Sequence, residues 1–399
     1  MREAGLVVVG ASLAGLRAVQ GARNAGFTGP VTLIGAEEHL PYDRPPLSKA
    51  FLDPSEPGTP PLAGADTLDE LGVDVRLGHP ATALCLDDRE VIVAGKPVPF
   101  DSLVLATGCA PIPLPGCPAI DGVHTLRTVE DAVDVRRHVL AGSRTVLVGA
   151  GFIGAEIATA LRSRDAHVTI VEAAELPLVR AVGEQMAPAV AGLHARAGVD
   201  LRCGVSVQRI SESADGKQVE LSDGSVLAAD FVLIGIGARP ATGWLADSGL
   251  PIADGVICDE TLQVAHGIYA AGDLARWHNP LFDTVMRLEN WTAAAELGAA
   301  AGRHAANPAA AAPVATVPYF WSDWYGSRIQ VVGVAAAEQI CVVGNVEDDT
   351  WVALYRAGDR VVGALTLNQR GRIMKYRAMI ARQAPWTDAR ELADAFARA

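Results

Sequence analysis

The hydrophobic positions of the chain repeat one arrangement twice, in which an apolar run is followed by a glycine turn and a helical pattern. The first copy reads LVVVGASLAGLRAV from Leu6, and the second reads TVLVGAGFIGAEIATAL from Thr145. Continuous apolar runs are typical of buried parallel strands. A glycine turn that leads from such a strand into a helix is typical of a nucleotide-binding βαβ unit. The pattern therefore predicts two such modules.

Later apolar runs extend both modules. PVTLIGAEE (30–38) and HVTIVEAAE (167–175) read as the second strands, and the runs FDSLVLATGCAP and AADFVLIGIGARP close the two modules in the same way. The run IYAAGD reads as a further strand of the first module, which makes that module discontinuous. The predicted class is α/β with two Rossmann-like domains in a glutathione-reductase-like layout, at 1–110 with 243–318 and at 111–242.

The pattern changes after residue 318. IQVVGV, QICVVGNV and WVALYRAGDRVVGALTL alternate as β-hairpin strands do, with Gly358 and Asp359 at a turn, and a helical pattern follows. These features predict a third, α+β domain over 319–399.

Composition and charge limit the classes of partner that the protein is expected to bind. The chain has 399 residues, half of them hydrophobic, and a net charge of −13, which argues against nucleic acid as the main partner. No apolar run approaches the length of a membrane span, and the first strand begins too early to leave room for a signal peptide. We therefore expect a cytoplasmic protein with no membrane partner.

The six cysteines are isolated from one another. They form no C-x-x-C motif and do not cluster with histidine, so neither a metal site nor a redox-active disulfide is expected. Isolated cysteines in apolar surroundings are usually small core residues. We therefore expect all six cysteines to be core residues.

The second glycine turn carries the full G-x-G-x-x-G pattern at Gly149, Gly151 and Gly154. Glycines at this spacing allow a tight turn and let the backbone approach a pyrophosphate at the helix N-terminus. Glu172 ends the next strand 21 residues after Gly151, where a carboxylate binds ribose hydroxyls and repels a 2′-phosphate. NAD is therefore favoured over NADP.

The first glycine turn departs from the pattern, because Ser12 stands between Gly10 and Gly15 where a glycine is expected. Serine is small, and its hydroxyl is able to donate to a phosphate oxygen. Taken alone, GASLAG is as compatible with a plain turn as with a nucleotide site.

Several longer motifs carry a family resemblance. They are PYDRPPLSKAFL (41–52), LATG (105–108), LRT (126–128), IYAAGD (268–273), RLENW (287–291) and PYFWSDWYGSRIQ (318–330). With them the chain resembles the NADH-dependent ferredoxin reductases that serve oxygenases and cytochromes P450. The resemblance implies FAD in the first module, NADH in the second, and hydride transfer from nicotinamide C4 to flavin N5. The expected acceptor is an iron–sulfur ferredoxin.

The resemblance also implies site residues. Those expected at FAD are Gly10, Ser12, Ala14, Gly15, Glu37, Arg44, Lys49, Ala81, Thr107, Gly108, Arg127, Gly272, Asp273 and Trp291. Those expected at NADH are Gly149, Gly151, Phe152, Ile153, Gly154, Glu156, Glu172, Gly237 and Glu289. The family usually has an acidic residue for the FAD ribose at position 36, where this chain has Ala36, and Glu37 is its expected substitute.

Three residues are expected to act in catalysis: Lys49, Glu156 and Trp321. A cation beside the flavin stabilises the negative charge that the ring gains with the hydride. The resemblance implies that Lys49 is this cation, paired with Glu156 across the domain interface, and that Trp321 lies at the flavin edge facing the acceptor. The alternatives are a solvated loop lysine and a core tryptophan.

Expectations also follow for three further residues. Phe152 is expected either to stack near the nicotinamide or to pack. Glu289 resembles the residue that contacts the nicotinamide amide, and the alternative is a carboxylate at a helix N-terminus. Trp324 replaces a frequent glutamine of the family, so the acceptor-facing surface is expected to differ in shape there.

A basic segment over 356–382 has the composition of a docking surface for an acidic ferredoxin. It contains Asp359 and seven cations, which are Arg356, Arg360, Arg370, Arg372, Lys375, Arg377 and Arg382. An ordinary solvated hairpin and helix is the alternative.

Other functions share the two-nucleotide layout. Disulfide and coenzyme A disulfide reductases need a redox cysteine near the flavin, and Gly10 to Leu84 contains none. A rubredoxin reductase, or an NADH sensor resembling apoptosis-inducing factor, stays open. The sequence names neither the ferredoxin nor the oxygenase, and it leaves open the oligomeric state and how strictly NADH is preferred to NADPH.

Overall fold

The computed structural model of the chain describes residues 5–53, 55–56 and 58–397. The chain forms two compact units. The first comprises 1–43, 59–110 and 239–318, and the second comprises 44–58, 111–238 and 319–399.

The bounds of the elements follow in chain order. The strands are β1 (Leu6–Val9), β2 (Val31–Ile34), β3 (Val73–Arg76), β4 (Ala81–Cys85), β5 (Glu90–Val93), β6 (Lys96–Pro99), β7 (Ser102–Leu105), β8 (Cys109–Pro111), β9 (Val123–His124), β10 (Arg144–Val148), β11 (His167–Val171), β12 (Asp200–Arg202), β13 (Val207–Ser213), β14 (Gly216–Leu221), β15 (Val226–Ala229), β16 (Phe231–Ile234), β17 (Ala238–Pro240), β18 (Ile252–Ala253), β19 (Gly255–Ile257), β20 (Gln263–Ala265), β21 (Ile268–Ala270), β22 (Ala275–Asn279), β23 (Thr284–Met286), β24 (Tyr319–Trp324), β25 (Ser327–Gly333), β26 (Gln339–Val343), β27 (Trp351–Ala357) and β28 (Arg360–Leu367). The helices are α1 (Leu13–Asn24), α2 (Ala65–Glu70), α3 (Val129–His138), α4 (Phe152–Arg162), α5 (Val179–Val182), α6 (Ala187–Arg196), α7 (Trp291–Ala306), α8 (Ile373–Ala381) and α9 (Trp386–Ala397).

The first unit is organised around a sheet with the strand order β20-β21-β7-β1-β2-β3. Strand β1 is completely buried and pairs in parallel with β2 and with β7. Strand β21, the IYA of IYAAGD, pairs in parallel with β7, so the chain returns to this sheet after residue 238. Because β21, β7, β1, β2 and β3 run in parallel, their carboxyl ends share one edge.

Two helices of the first unit pack at backbone distance. A Cβ added to Gly298 or Gly302 of α7 would overlap a carbonyl oxygen of α1, at Ala14 and Ala18 respectively. In the opposite direction, a Cβ on Gly21 of α1 would overlap the Ala299 carbonyl. The two helices therefore approach more closely than helices with larger side chains at the contact could.

The second unit has its own parallel sheet, with the order β12-β11-β10-β16-β9. Strand β10 pairs in parallel with β11 and β16, and β16 with the short edge strand β9. Helix α3 begins at a capping box, in which the Thr128 hydroxyl accepts from the Asp131 N–H and the Asp131 carboxylate accepts from the Thr128 N–H. This cap fixes where the chain turns back after β9.

The last part of the second unit is an antiparallel sheet with the order β24-β25-β28-β27-β26. The hairpin between β27 and β28 turns at Gly358 and Asp359, as the alternation predicts. Its inner face shares a core with α4 and α6, in which Trp324 and Trp351 pack with Ala155, Met186 and Val190.

The predicted fold class is confirmed: two parallel sheets with a glycine turn and helix after the first strand, and a C-terminal α+β part. The three-domain division stays a prediction. Compactness groups 44–58 and 319–399 with the second unit. No helix among the described residues is long and apolar enough to cross a membrane.

The interpretation of all six cysteines as core residues is wrong. None of these six described cysteines forms a disulfide, and only Cys109 and Cys258 are buried. Cys85, Cys117, Cys203 and Cys341 are half-buried, because they lie on edge strands or in loops rather than inside a sheet.

We expect Gly302→Ala to lower the free energy of unfolding by about 1–3 kcal/mol, since the added methyl group overlaps the Ala18 carbonyl and must push α1 and α7 apart. The urea unfolding midpoint measures the change. Gly192→Ala is the matched control, because Gly192 lies inside α6 with open space where its Cβ would point. That control should be neutral or stabilising, by up to about 1 kcal/mol. Equal effects of the two substitutions would contradict the close-packing account.

Candidate functional site

The glycine turn of the first unit lies at the carboxyl edge of its parallel sheet. Gly10 follows β1 with φ of +121°, and a Cβ there would overlap the Ala106 carbonyl after β7. A Cβ on Gly15 would overlap the Gly10 carbonyl, so helix α1 starts directly against the turn. Ser12 is the N-cap residue of α1, although its side chain makes no capping hydrogen bond to the helix.

Other residues predicted for FAD gather at the same edge. Thr107 and Gly108 follow β7, and Gly272 and Asp273 follow β21. Gly108 and Gly272 both have positive φ, and a Cβ on Gly272 would lie 3.0 Å from Ala14 Cβ at the start of α1. Ala81 begins β4 in a separate three-stranded sheet. The carboxyl edge thus brings together the first glycine turn and the GD pair of IYAAGD.

The acid predicted to replace the missing carboxylate at position 36 is held in place. Ala36 is exposed, and the neighbouring Glu37 is half-buried. Its Oε2 accepts a hydrogen bond of 2.6 Å from the Tyr42 hydroxyl. Nearby in the sequence, Asp43 Oδ1 accepts a hydrogen bond of 2.6 Å from Trp291 Nε1, which orients the predicted FAD residue Trp291 at the start of α7.

Glu289, predicted for NADH, lies in the first unit as the partner of a half-buried arginine. Arg287 Nη1 pairs with Glu289 Oε1, and Arg287 Nη2 lies 3.0 Å from Asp254 Oδ1. Burial alone would lower the pKa of Arg287, but hydrogen bonds to the two carboxylates raise it above its usual range. Glu289 precedes the N-cap residue Asn290, so the alternative of a carboxylate near a helix N-terminus also describes its position.

The glycine turn of the second unit repeats the geometry of the first. Gly149 follows β10 with φ of +98°, and a Cβ on it would overlap the Gly235 carbonyl. A Cβ on Gly154 would lie 2.9 Å from the Gly149 carbonyl. A Cβ on the N-cap residue Gly151, by contrast, would meet only the Gly235 carbonyl at 3.9 Å. Protein packing therefore does not require a glycine at 151, and the open space in front of it suits a pyrophosphate.

Glu172 lies at this second turn. Its Oε2 accepts from the Ala150 N–H at 2.8 Å, and its Oε1 accepts from the Ala174 N–H at 2.9 Å. The carboxylate thus stands between the glycine turn and the end of β11, as the ribose-binding acid of a βαβ unit does. Gly237, after β16, has φ of +120°.

The two residues between Gly151 and Gly154 face different surroundings. Ile153 is exposed at the start of α4. Phe152 packs edge-on against Phe320 at 4.7 Å between ring centroids and lies 5.7 Å from the Trp324 ring. The packing role of Phe152, one of its two alternatives, is the one these contacts describe.

A buried carboxylate lies one turn further along α4. The Glu156 side chain is 6% exposed, and its Oε1 lies 2.8 Å from Lys49 Nζ, whose side chain is 23% exposed. The hydroxyls of Ser48 and Ser322 donate to Oε2 and Oε1 respectively. All four residues lie in the second compact unit, which includes residues 44–58. That Lys49 and Glu156 belong to different domains stays a prediction.

The hydrogen bonds around Glu156 have only one consistent direction. An indole N–H only donates, so Trp324 Nε1 donates to Ser322 Oγ at 2.8 Å. The Ser322 hydroxyl proton is then available for the carboxylate. Glu156 accepts from two hydroxyls and an ammonium, which satisfies the rule that a buried charge is paired and hydrogen-bonded. We call Lys49, Ser48, Ser322, Trp324 and Glu156 the carboxylate network.

The expectation that Trp324 shapes an acceptor-facing surface is wrong, because Trp324 is fully buried. Its ring lies 5.0 Å from that of His194, whose Nδ1 lies 2.8 Å from the Tyr325 hydroxyl. Burial lowers the pKa of His194 to about 4, so this imidazole is neutral at neutral pH. Lys49 is therefore the cation that the described residues place against Glu156.

Trp321 lies on the other face of β24, because successive strand side chains point to opposite faces. It is half-buried, stacks with Tyr319 at 5.7 Å, and has the Arg328 guanidinium 5.7 Å from its ring centroid. The structure does not bring Trp321 into the carboxylate network.

Elsewhere in the second unit, Arg44 Nη1 donates to the Arg127 carbonyl at 2.8 Å, so these two predicted FAD residues do meet.

The basic segment forms a strip along the C-terminal sheet. Arg360, Arg370, Lys375 and Arg382 are exposed, whereas Arg356, Arg372 and Arg377 are half-buried. A bridge between Arg360 and Pro385 shows that the chain after α8 returns to the start of β28. Helix α8 therefore runs back along β28 and carries the exposed cations with it.

Known families match almost the whole chain. A family described as pyridine nucleotide-disulphide oxidoreductase matches residues 4–298, and one described as reductase C-terminal matches residues 319–397. The chain belongs to the pyridine nucleotide-disulphide oxidoreductase family. It is therefore an oxidoreductase, and the family implies FAD and NADH as its cofactors.

Individual relatives are similar over nearly their full length. Rhodocoxin reductase of Rhodococcus erythropolis is 34% identical over 391 residues, which cover 96% of this chain and 90% of the relative. Putidaredoxin reductase of Pseudomonas putida is 34% identical over 381 residues, covering 91% and 88%. A crystal structure of a covalent putidaredoxin reductase–putidaredoxin complex superposes with a TM-score of 0.90 at 32% identity, covering 96% of this chain and 94% of the other.

The residues present fit the two cofactors. Each unit has a glycine turn that leads into a helix at the carboxyl edge of a parallel sheet, and backbone N–H groups at such a position suit a pyrophosphate. The open space at Gly151 and the carboxylate of Glu172 suit NAD, and Glu37 is the acid held near the first turn.

Sequence reasoning missed the two serines of the carboxylate network. Ser48 directly precedes Lys49. Ser322 shares one face of β24 with Phe320 and Trp324, the face opposite to Trp321. The alternation of PYFWSDW was the signal that could have found Ser322, since it places a serine on the buried face.

We expect Ser322→Ala to lower the free energy of unfolding by about 1.5–3 kcal/mol, since a buried charged group loses a hydrogen bond and Trp324 Nε1 loses its acceptor. Urea unfolding of the FAD-bound protein measures it. Ser163→Ala is the control, because that exposed hydroxyl donates only to the Ala160 carbonyl, and its effect should stay within about 0.5 kcal/mol. A Ser322→Ala protein as stable as the control would refute the network.

Proposed function

We propose that this chain is an NADH-dependent ferredoxin reductase that supplies an iron–sulfur ferredoxin of a cytochrome P450 or oxygenase system. The observation that carries the proposal is the pair of matching glycine turns, one in each unit, in a chain that also contains the ion pair of Lys49 with the buried Glu156. The printed names of the relatives, putidaredoxin reductase and rhodocoxin reductase, support the same acceptor class. When bound, FAD accepts a hydride from NADH and releases the electrons singly.

The residues of the two turns have binding roles in this proposal. Backbone N–H groups at the starts of α1 and α4 bind the pyrophosphates. Glu172 binds the ribose hydroxyls of NADH and disfavours a 2′-phosphate by charge repulsion. Glu37 takes the ribose role on the FAD side, supported by the Tyr42 hydrogen bond that orients its carboxylate.

The carboxylate network fixes the position of a cation, the Lys49 ammonium. Glu156 fixes the Lys49 ammonium, and the two serines fix Glu156. A positive charge held in place before reaction stabilises negative charge as it develops, without a reorganisation cost at that moment. Trp321 is proposed at the side where the acceptor approaches, and the exposed cations of the basic segment are proposed to attract an acidic ferredoxin. The cytoplasm is the proposed location.

We expect Lys49→Ala to slow single-turnover flavin reduction by NADH about 100-fold while changing NADH affinity little, because the lost charge acts mainly in the transition state. Anaerobic stopped-flow absorbance across a range of NADH concentrations separates the two quantities. Lys96→Ala, an exposed lysine of the first unit, is the control and should leave both unchanged. A Lys49→Ala protein with the wild-type limiting rate would exclude this role.

The docking proposal makes a second prediction. The double variant Arg370→Glu/Arg382→Glu should raise the KM for a [2Fe-2S] ferredoxin about 10-fold and weaken its salt dependence, since steering by exposed charges is screened by salt. Reduction of a neutral dye should not change. Lys96→Glu is the matched reversal outside the segment.

The acceptor class is tested in the same assays. Steady-state NADH turnover with a ferredoxin, well above turnover with a rubredoxin or without an acceptor, is the expected result. Turnover that stays very slow with every iron–sulfur protein would favour the NADH-sensor alternative. An identical salt profile for ferredoxin and dye would refute docking at the basic segment.

A further inference from the structure

Three potential metal ligands meet in the second unit, apart from the glycine turn. They are Asp121, His124 and His138, whose ligand atoms all lie within 4.8 Å of one another. Asp121 precedes β9, His124 ends β9, and His138 is the last residue of α3. No metal site is expected from the cysteines, which form no ligand motif, and the three ligands here are separated along the chain by a strand and a helix.

Aromatic packing orders the two imidazoles. The His138 ring stacks on Phe231, with 5.2 Å between centroids and 6° between planes, and Phe231 is 1% exposed. The His124 ring lies 5.2 Å from that of His138 and 5.9 Å from that of Phe231. Both rings are therefore held by ring–ring contacts, which do not themselves use the ring nitrogens.

One of these nitrogens lacks a partner. His124 Nε2 is buried, and no hydrogen-bond partner for it occurs among the described residues. A buried polar atom without a partner is costly, and ligation to a cation or a hydrogen bond removes that cost.

Charges of both signs lie around the cluster. Asp121 supplies a negative charge, and His138 stands at the helix C-terminus, whose dipole favours a cation. Lys217 opposes binding, since its ammonium lies beside Gly122 and donates to the Asp230 carbonyl at 2.9 Å.

We propose that Asp121, His124 and His138 bind one divalent transition-metal ion of the Zn²⁺ class. Two imidazoles and one carboxylate are ligands that Zn²⁺ accepts, with a fourth position for water. Tetrahedral bonds of about 2.0–2.2 Å place ligand atoms about 3.4 Å apart, so the cluster must tighten by about 1 Å. The exposed Asp121 side chain is free to make this adjustment by rotation.

The ion would act on stability rather than on the redox reaction. Helix α3 runs back after β9, and His138 packs on Phe231, the first residue of β16, so the cluster lies toward the amino ends of the sheet. The glycine turn lies at the opposite, carboxyl edge. The metal links β9 to the C-terminal end of α3, and NADH-driven dye reduction should be the same with and without zinc.

Equilibrium dialysis of the tag-free, FAD-bound full chain against ZnCl₂, with zinc measured by mass spectrometry, tests the proposal. We expect one zinc per chain at micromolar free zinc, with affinity reduced at least about 10-fold in His138→Ala and in His124→Ala. Lys217→Gln should bind more tightly, since the opposing charge is gone. Zinc should also raise the thermal midpoint of the wild type but not that of the ligand variants.

Two further variants control for misfolding and for the choice of histidine. His138→Phe keeps a ring to stack on Phe231 and removes the ligand, so it serves if His138→Ala fails to fold. His278→Gln removes a histidine that pairs with Asp283 at 3.0 Å elsewhere, and it should bind zinc like the wild type. Zinc binding that is absent in the wild type, or is unchanged in both His138 variants, would overturn the proposal. The reductase assays do not depend on this outcome.

Discussion

The structure of the second unit depends on one costly element, the carboxylate of Glu156 buried on α4. Removing a carboxylate from water is unfavourable unless it is paired and its oxygens are hydrogen-bonded. The chain meets this requirement with three groups from two places: Lys49 and Ser48 from the loop after Arg44, and Ser322 from β24. The same requirement explains why residues 44–58 pack with the second unit although they lie within the first half of the sequence.

Trp324 sets the direction of the hydrogen bonds in the network. The resemblance leads us to expect a frequent glutamine at this position, whereas the indole here donates to Ser322 and fills the core beside Phe152 and His194. An indole has no acceptor, so it fixes the direction of the Ser322 hydroxyl more strictly than an amide would. A substitution that looked like a change of surface shape is thus a change in how a buried charge is held.

The sequence predicted the features that depend on local chemistry. The glycine turns, both parallel sheets and the return of β21 follow from apolar runs and from glycines whose Cβ would overlap a carbonyl, as at Gly10 and Gly149. Sequence reasoning failed where long-range packing decides. The burial of Trp324, the serines around Glu156 and the meeting of His124 with His138 all depend on side chains far apart in sequence. Their separation in the sequence does not predict that they meet in space, because the packing of the strands and helices between them decides the distance between their side chains.

The central claim is that Glu156 acts on the reaction through Lys49. The most direct measurement is a double-mutant cycle on the limiting rate of flavin reduction by NADH, using Lys49→Ala, Glu156→Gln and the double variant. The account predicts strong coupling: Glu156→Gln slows the wild type but has no further effect once Lys49 is alanine. Additive effects of the two substitutions would contradict it, because Glu156 would then act by a route that does not include the lysine.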